Sequence, residues 1–196
     1  MRLIYVLAAA AFCVLAAAGS TARADAVTDQ INQALAAYGK KDLKGAATAL
    51  DSAATLIRQQ EAALWKAVLP AALPGWTAQQ PEGSAVAPAL FGGGVTVSRK
   101  YQKGAAVVTV SIIANSPMVQ AMAGFMSSSF GAMLGGSQFV VIDGHRLLYS
   151  KSENSYQTLV GHAVLVKVEG NPATDDAALR QYLHAVDFTA VKRLAS

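Results

Sequence analysis

Met118, Met122 and Met126 are spaced four residues apart, so on a helix their thioethers share one face. Thioether sulfur is soft and survives an oxidising compartment, which is how exported proteins handle copper. The same spacing suits a core in which methionines fill an irregular gap, and Val119, Phe125 and Leu134 share the segment as packing requires. A third use is a flexible hydrophobic binding face, and these three methionines are the ligand-binding candidates. The histidines His145, His162 and His184 form no pair at ligand spacing. His145 and His162 can share a sheet face, with Tyr149 nearby, but two imidazoles without a third ligand make no zinc site, so no metal is expected. Ser127-Ser128-Ser129 lacks the glycine-x-serine-x-glycine context of a nucleophile elbow. Phe91-Gly92-Gly93-Gly94 precedes a strand and lacks the lysine and following helix of a phosphate loop. Acids are scattered singly apart from Asp175-Asp176, which read as helix capping. No catalytic residue and no cofactor is expected.

The stretch 138–169 organises the elements that would position such groups. Asp143-Gly144 lies between two alternating apolar runs, the signal of a type I′ hairpin. Pairing across it places Val140, Ile142, His145, Leu147 and Tyr149 on one face, with Phe139, Val141, Arg146 and Leu148 on the other. Both faces are largely apolar, which predicts a sheet covered on two sides. A third run, Tyr156 to Gly170, alternates Val160, His162, Val164, Val166 and Val168 against Leu159, Leu165 and Lys167 and completes a meander. Upstream, Val95 to Tyr101 and Val107 to Ile113 flank Gly104 as another hairpin, with Val108, Val110 and Ile112 on its core face. Asn115-Ser116-Pro117 starts a helix with proline at its first position. Asn171 to Thr174 caps the last helix, where Leu179, Tyr182, Leu183 and Val186 form an amphipathic stripe. Phe188 and Val191 supply a final strand or a packed tail.

Composition bounds the rest. Of 196 residues, 53% are hydrophobic and 14% charged, an apolar balance for one domain plus an appendage. Part of the excess is N-terminal. Arg2 precedes the apolar run Leu3 to Ala18, and Ala22-Arg23-Ala24 is a small-x-small site, so residues 1–24 read as a signal peptide cleaved after Ala24. Cys13 follows Ala-Phe, outside any lipobox, and leaves with the signal. The mature chain is then cysteine-free, which excludes disulfides and thiolate chemistry. Losing Arg2 and Arg23 but no acid lowers the net charge from +4 to +2. No basic run of nucleic-acid type is present, and no transmembrane segment remains after cleavage.

Residues 25–69 read as a helical hairpin. Val27, Ile31, Ala34, Leu35 and Tyr38 follow helical spacing, and Gly39-Lys40-Lys41 stops the first helix. Asp42 caps a second, with Leu43, Ala46, Leu50, Ala53 and Ile57 on one face and Leu64, Trp65 and Val68 continuing it. Residues 70–91 form a turn and linker, in which Pro74-Gly75 suits a type II turn, Trp76 buries itself and Gln79 to Pro88 is a polar loop. Residues 92–196 form an antiparallel α+β domain with helices on its faces.

Two resemblances attach to these residues. Tyr38, Lys41-Asp42-Leu43, Ala46, Leu50 and Ala53 resemble half of a tetratricopeptide repeat, with Tyr38 one position out of register. From Trp76 onward, the element order, Gly75-Trp76, the Asp143-Gly144 hairpin and Val168-Glu169-Gly170 plus helix resemble the PsbP-type α/β sandwich of small exported bacterial proteins. The chain is also similar to uncharacterised secreted proteobacterial proteins with an LPGW segment (here Leu73 to Trp76) and a glycine triplet, a likeness that implies no activity.

These readings converge on a periplasmic, non-enzymatic binding or interaction protein. Two partner classes fit: a protein engaged through the helical hairpin, or a small hydrophobic ligand in a sheet–helix groove near Met118 to Met126. The competing readings are an enzyme assembled around His145 and His162 with Tyr149, and a structural protein of envelope assembly.

Overall fold

The computed structural model describes residues 18–85, 94–117, 119–121, 137–161 and 163–196. The chain divides into two units, Met1–Ile57 and Arg58–Ser196, with the boundary inside the second helix.

In the first unit, α1 (Ala18–Gly39) runs through the predicted cleavage point and ends where Lys41 takes a positive φ of 63°. Asp42 caps α2 (Leu43–Ala67) as expected, its Oδ1 accepting from Gly45 N at 2.9 Å. The buried face differs from the expected one. Ala34, Ala46, Ala49 and Ala53 are buried, whereas Ile31, Leu35, Tyr38, Leu43, Leu50 and Ile57 are exposed. Alanines let two helix backbones approach closely, and once they form the seam the bulkier side chains are displaced to its flank.

The second unit is built on an eight-stranded, wholly antiparallel sheet. Its strands are β1 (Thr77–Ala78), β2 (Glu82–Ala85), β3 (Val95–Lys103), β4 (Ala106–Ala114), β5 (Ser137–Ile142), β6 (His145–Ser150), β7 (Ser155–Val160) and β8 (Val164–Gly170). Their order is β1-β3-β4-β8-β7-β6-β5, with β2 sharing the outer edge of β3. The sheet meets the α+β expectation. Asp143 and Gly144 have φ of 52° and 76°, and Ile142 pairs with His145, so the expected face assignment of β5 and β6 holds. Gly104 (φ 59°) turns β3 into β4, whose Val108, Val110 and Ile112 are fully buried.

Three expectations are corrected. The single run from Tyr156 to Gly170 is two strands, folded at Gly161 (φ 64°) with Val160 opposite Val164. Because the loop spans an odd number of residues, the even-numbered side chains stay on one face across the turn and the alternation gives no sign of it. Part of the expected polar loop, Glu82–Ala85, is an edge strand defined only by pairing with Ser98 to Val95. The cap of α3 (Asp176–His184) is Asp175, whose carboxylate accepts from Ala178 N at 2.8 Å. Thr174 instead bonds the backbone of Val107. The tail forms α4 (Phe188–Leu194), capped by Asp187.

One sheet face and the helices above it form the main core. Trp65 and Leu69 from the end of α2, Leu179, Tyr182 and Leu183 from α3, and Val191 from α4 pack there on Val97, Tyr101, Val110, Ile112, Val166 and Val168. On the opposite face Val119, fully buried just after the helix start at Pro117, meets Leu165 amid Ile113, Leu148 and Leu159. Both faces are therefore covered where those residues lie, as the two-sided apolar pattern requires.

The junction after α2 is held by polar bonds. Pro70 O accepts from Tyr101 Oη at 2.6 Å and from Arg99 Nη1 at 3.2 Å. Trp76 N donates to Leu73 O at 2.9 Å with Gly75 at φ 80°, the expected type II turn. The half-buried Trp76 ring meets Tyr182 edge-on at 5.2 Å.

Candidate functional site

Met118, Met122, Met126 and His162 lie outside the described residues, as does the Ser127–Ser129 run. The other sequence candidates fall near one end of the sheet. His145 stacks on Phe188 at 4.2 Å, and Tyr149 stacks on Tyr156 at 4.7 Å. Buried Leu147 stands between His145 and Tyr149 on β6. The exposed His184 Nδ1 pairs with the Asp143 carboxylate. Among the described residues no group of three His, Cys, Asp or Glu side chains is placed to hold a metal.

A polar cluster that the sequence did not announce ties α3 to β7. Tyr156 Oη donates to Asp176 Oδ1 at 2.5 Å, while Arg180 Nε donates to Asp176 Oδ2 at 2.6 Å. Burial pushes the Asp176 carboxyl upward, but the bonds from Tyr156 and Arg180 outweigh it and hold its pKa below the ordinary value of 3.8. A depressed carboxylate contributes stability that is present above its unfolded pKa and lost as pH falls through the folded one. Tyr156→Phe is therefore expected to cost about 1 kcal/mol near neutrality, a modest value because water screens Asp176. It should also shrink the stability lost below about pH 4. Denaturant midpoints of both proteins across that range measure this.

Burial also raises the pKa of Tyr101, Tyr156 and Tyr182. Their contribution is intact below the unfolded tyrosine value and is lost as pH climbs above it. Above about pH 10 the protein should unfold cooperatively, with a late class of tyrosines ionising together in a spectrophotometric titration. Gradual, independent ionisation of all tyrosines in a folded chain would contradict this.

A recess of about 350 Å³ lies beside α3, lined by Trp76, Lys103, Asp175, Gln181 and small alanines. Its opposite charges and shallow alanine walls give no convergent set of groups for a reaction.

The hairpin carries the most distinctive surface. On one side Gln30, Thr48, Asp51, Ser52, Thr55 and Leu56 line an open groove of about 480 Å³. Elsewhere on α1 and α2 stand Ile31, Leu35, Tyr38, Leu43, Leu50, Ile57 and Leu64, between 45% and 70% exposed. Apart from Val141, these are all the exposed large apolar side chains among the described residues. Apolar side chains are thus left in contact with solvent on the two helices rather than on the sheet. No family model, curated protein or solved structure matches the chain. The surface is therefore interpreted from its own chemistry. The apolar spacing was visible in the sequence, but its exposure was not, because the same residues could equally have faced the other helix of the hairpin.

Proposed function

We propose that this is an exported, non-enzymatic interaction protein that engages a protein partner through the apolar flank of its helical hairpin. The observation that carries the reading is that, among the described residues, exposed large apolar side chains are confined to α1 and α2, Val141 excepted. The reading retains residues 1–24 as a cleaved signal and a periplasmic location. It also retains the likeness of α2 to a tetratricopeptide half-repeat and of the sheet region to the PsbP-type sandwich. No described helix is long and apolar enough to cross a membrane. The tyrosine and tryptophan contacts between β3, α3 and the Pro70 junction fit a rigid support more than a reactive centre.

A photo-reactive amino acid placed at Leu50, with Thr48 in the opposite groove as control, tests the proposal in the native host. The expected result is a discrete protein adduct from position 50 and none from 48. No adduct from 50, or equal labelling from both, would remove the hairpin flank as the working surface. The hydrophobic-ligand reading of Met118, Met122 and Met126 predicts instead that Met122→Leu with Met126→Leu alters ligand uptake in a folded protein.

A further inference from the structure

We infer that the partner on this flank is a second copy of this chain, the two hairpins packing face to face as a four-helix bundle. The inference rests on the interaction reading above and names its partner. It draws only on residues of the first unit.

The two helices present their apolar residues to one side. At about 100° per residue, Ile31, Leu35 and Tyr38 lie roughly a quarter turn from the inward line through Val27, Gln30, Ala34 and Ala37. Leu43, Leu50 and Ile57 lie about as far, in the same sense, from the line through Ala46, Ala49 and Ala53. In an antiparallel pair, equal rotations of the same sense bring both stripes to the same flat face. The groove lined by Thr48, Ser52 and Leu56 occupies the other face, as that geometry demands.

The face is also self-complementary. Counting outward from the turn, where Asp42 N bonds Ala37 O, Tyr38 is level with Leu43, Leu35 with Ala47, and Ile31 with Leu50. A twofold axis along the hairpin lays α1 of each copy over α2 of the other with these levels matched. Leu35 then meets the small Ala47, while Ile31 meets Leu50. On α2 the order Leu43, Ala47, Leu50, Ala54, Ile57 repeats at four and three residues, the spacing of a left-handed packed seam. Among the described residues of α2 in the first unit, Lys44 and Asp51 line the grooves of the other face rather than this one. Nothing ionic would be buried unpaired.

The area is sufficient. Six bulky side chains at 45–70% exposure offer on the order of 600 Å² per copy. Doubled, this reaches the lower edge of the roughly 1,200–2,000 Å² of stable interfaces.

The test is sedimentation velocity on protein made from the full-length gene, its N-terminus fixed by intact mass, at about 1 to 100 µM. A dimer is expected. Leu35→Lys with Leu50→Lys should weaken it at least tenfold with the thermal melt unchanged, while Thr48→Lys in the opposite groove should leave it intact. Should the double variant misfold, Ile31→Glu mixed with Leu50→Lys provides a second route. Each alone should be monomeric, and the mixture should dimerise. A wild-type monomer throughout the range overturns the inference, as does a double variant that stays dimeric. If the wild type is monomeric but position 50 captures another protein, or residues 1–17 of its own chain, the second copy is wrong. Capture of another protein would leave the broader interaction reading standing. A monomer from which position 50 captures nothing defeats both.

Discussion

Trp65→Ala is expected to lower the stability of the sheet-bearing unit by about 3–5 kcal/mol, a large share of the roughly 5–15 kcal/mol typical of a domain. Trp65 is 1% exposed and is the largest fully buried side chain among the described residues. It joins the end of α2 to the sheet core, and its Nε1 donates to Glu61 Oε1 at 3.3 Å. Truncation would leave a cavity walled by sheet residues that cannot close without moving strands, so the cavity cost adds to the lost transfer energy. Glu61 Oε1 also accepts from Asn115 Nδ2 at 2.6 Å, so the damage should extend to the end of β4. Denaturant unfolding followed by tryptophan fluorescence from Trp76 gives the value. By contrast Leu50→Ala, on an exposed flank, should change the stability of a monomer by less than about 0.5 kcal/mol. A small loss from Trp65→Ala would mean that the end of α2 is not part of the sheet's folding unit.

Gly94→Ala should cost about 3 kcal/mol or more, whereas Gly104→Ala should cost about 1 kcal/mol. Both glycines have positive φ, 114° and 59°, but only the second lies in the left-handed basin that other residues can enter. A Cβ on Gly94 would sit 2.8 Å from Ala114 O and 3.1 Å from Ser116 Cα, both backbone atoms of the strand and helix start beside it. A Cβ on Gly104 would meet nothing within 4 Å. The pair thus separates conformational strain from collision. Equal costs would show that the Gly94 neighbourhood yields, and melting temperatures of the two variants are enough to decide. The other members of the glycine triplet, Gly92 and Gly93, lie outside the described residues.

Local features of the fold were legible wherever period and backbone chemistry agreed. The Asp143-Gly144 turn fixed the register of β5 on β6, because a two-residue loop with two positive φ angles permits only one pairing. Leu179, Tyr182 and Leu183 declared the buried side of α3, where bulky residues share one stripe and polar ones the rest. On α1 and α2 the same rule misled, since apolar residues cover more of the circumference than one seam can bury. Close approach of the backbones through alanine settled which part went inside. Site chemistry was less legible. Asp176 read as a helix-end acid, and that part is correct. Its bond to Tyr156, twenty positions away, depends on where α3 docks on β7 and leaves no periodic trace.

The sequence by itself thus determined the helical hairpin, the two glycine hairpins at Gly104 and Gly144, the Asp42 cap and the two-sided apolar sheet, because each depends on contacts a few residues apart. Tertiary structure decided that β8 returns beside β4, that the run from Tyr156 to Gly170 folds at Gly161, and that the hairpin's leucines remain outside. Each of those outcomes compares burial across distant segments. A valine on β8 is equally satisfied by any apolar neighbour, so its alternation carries no record of which strand it meets.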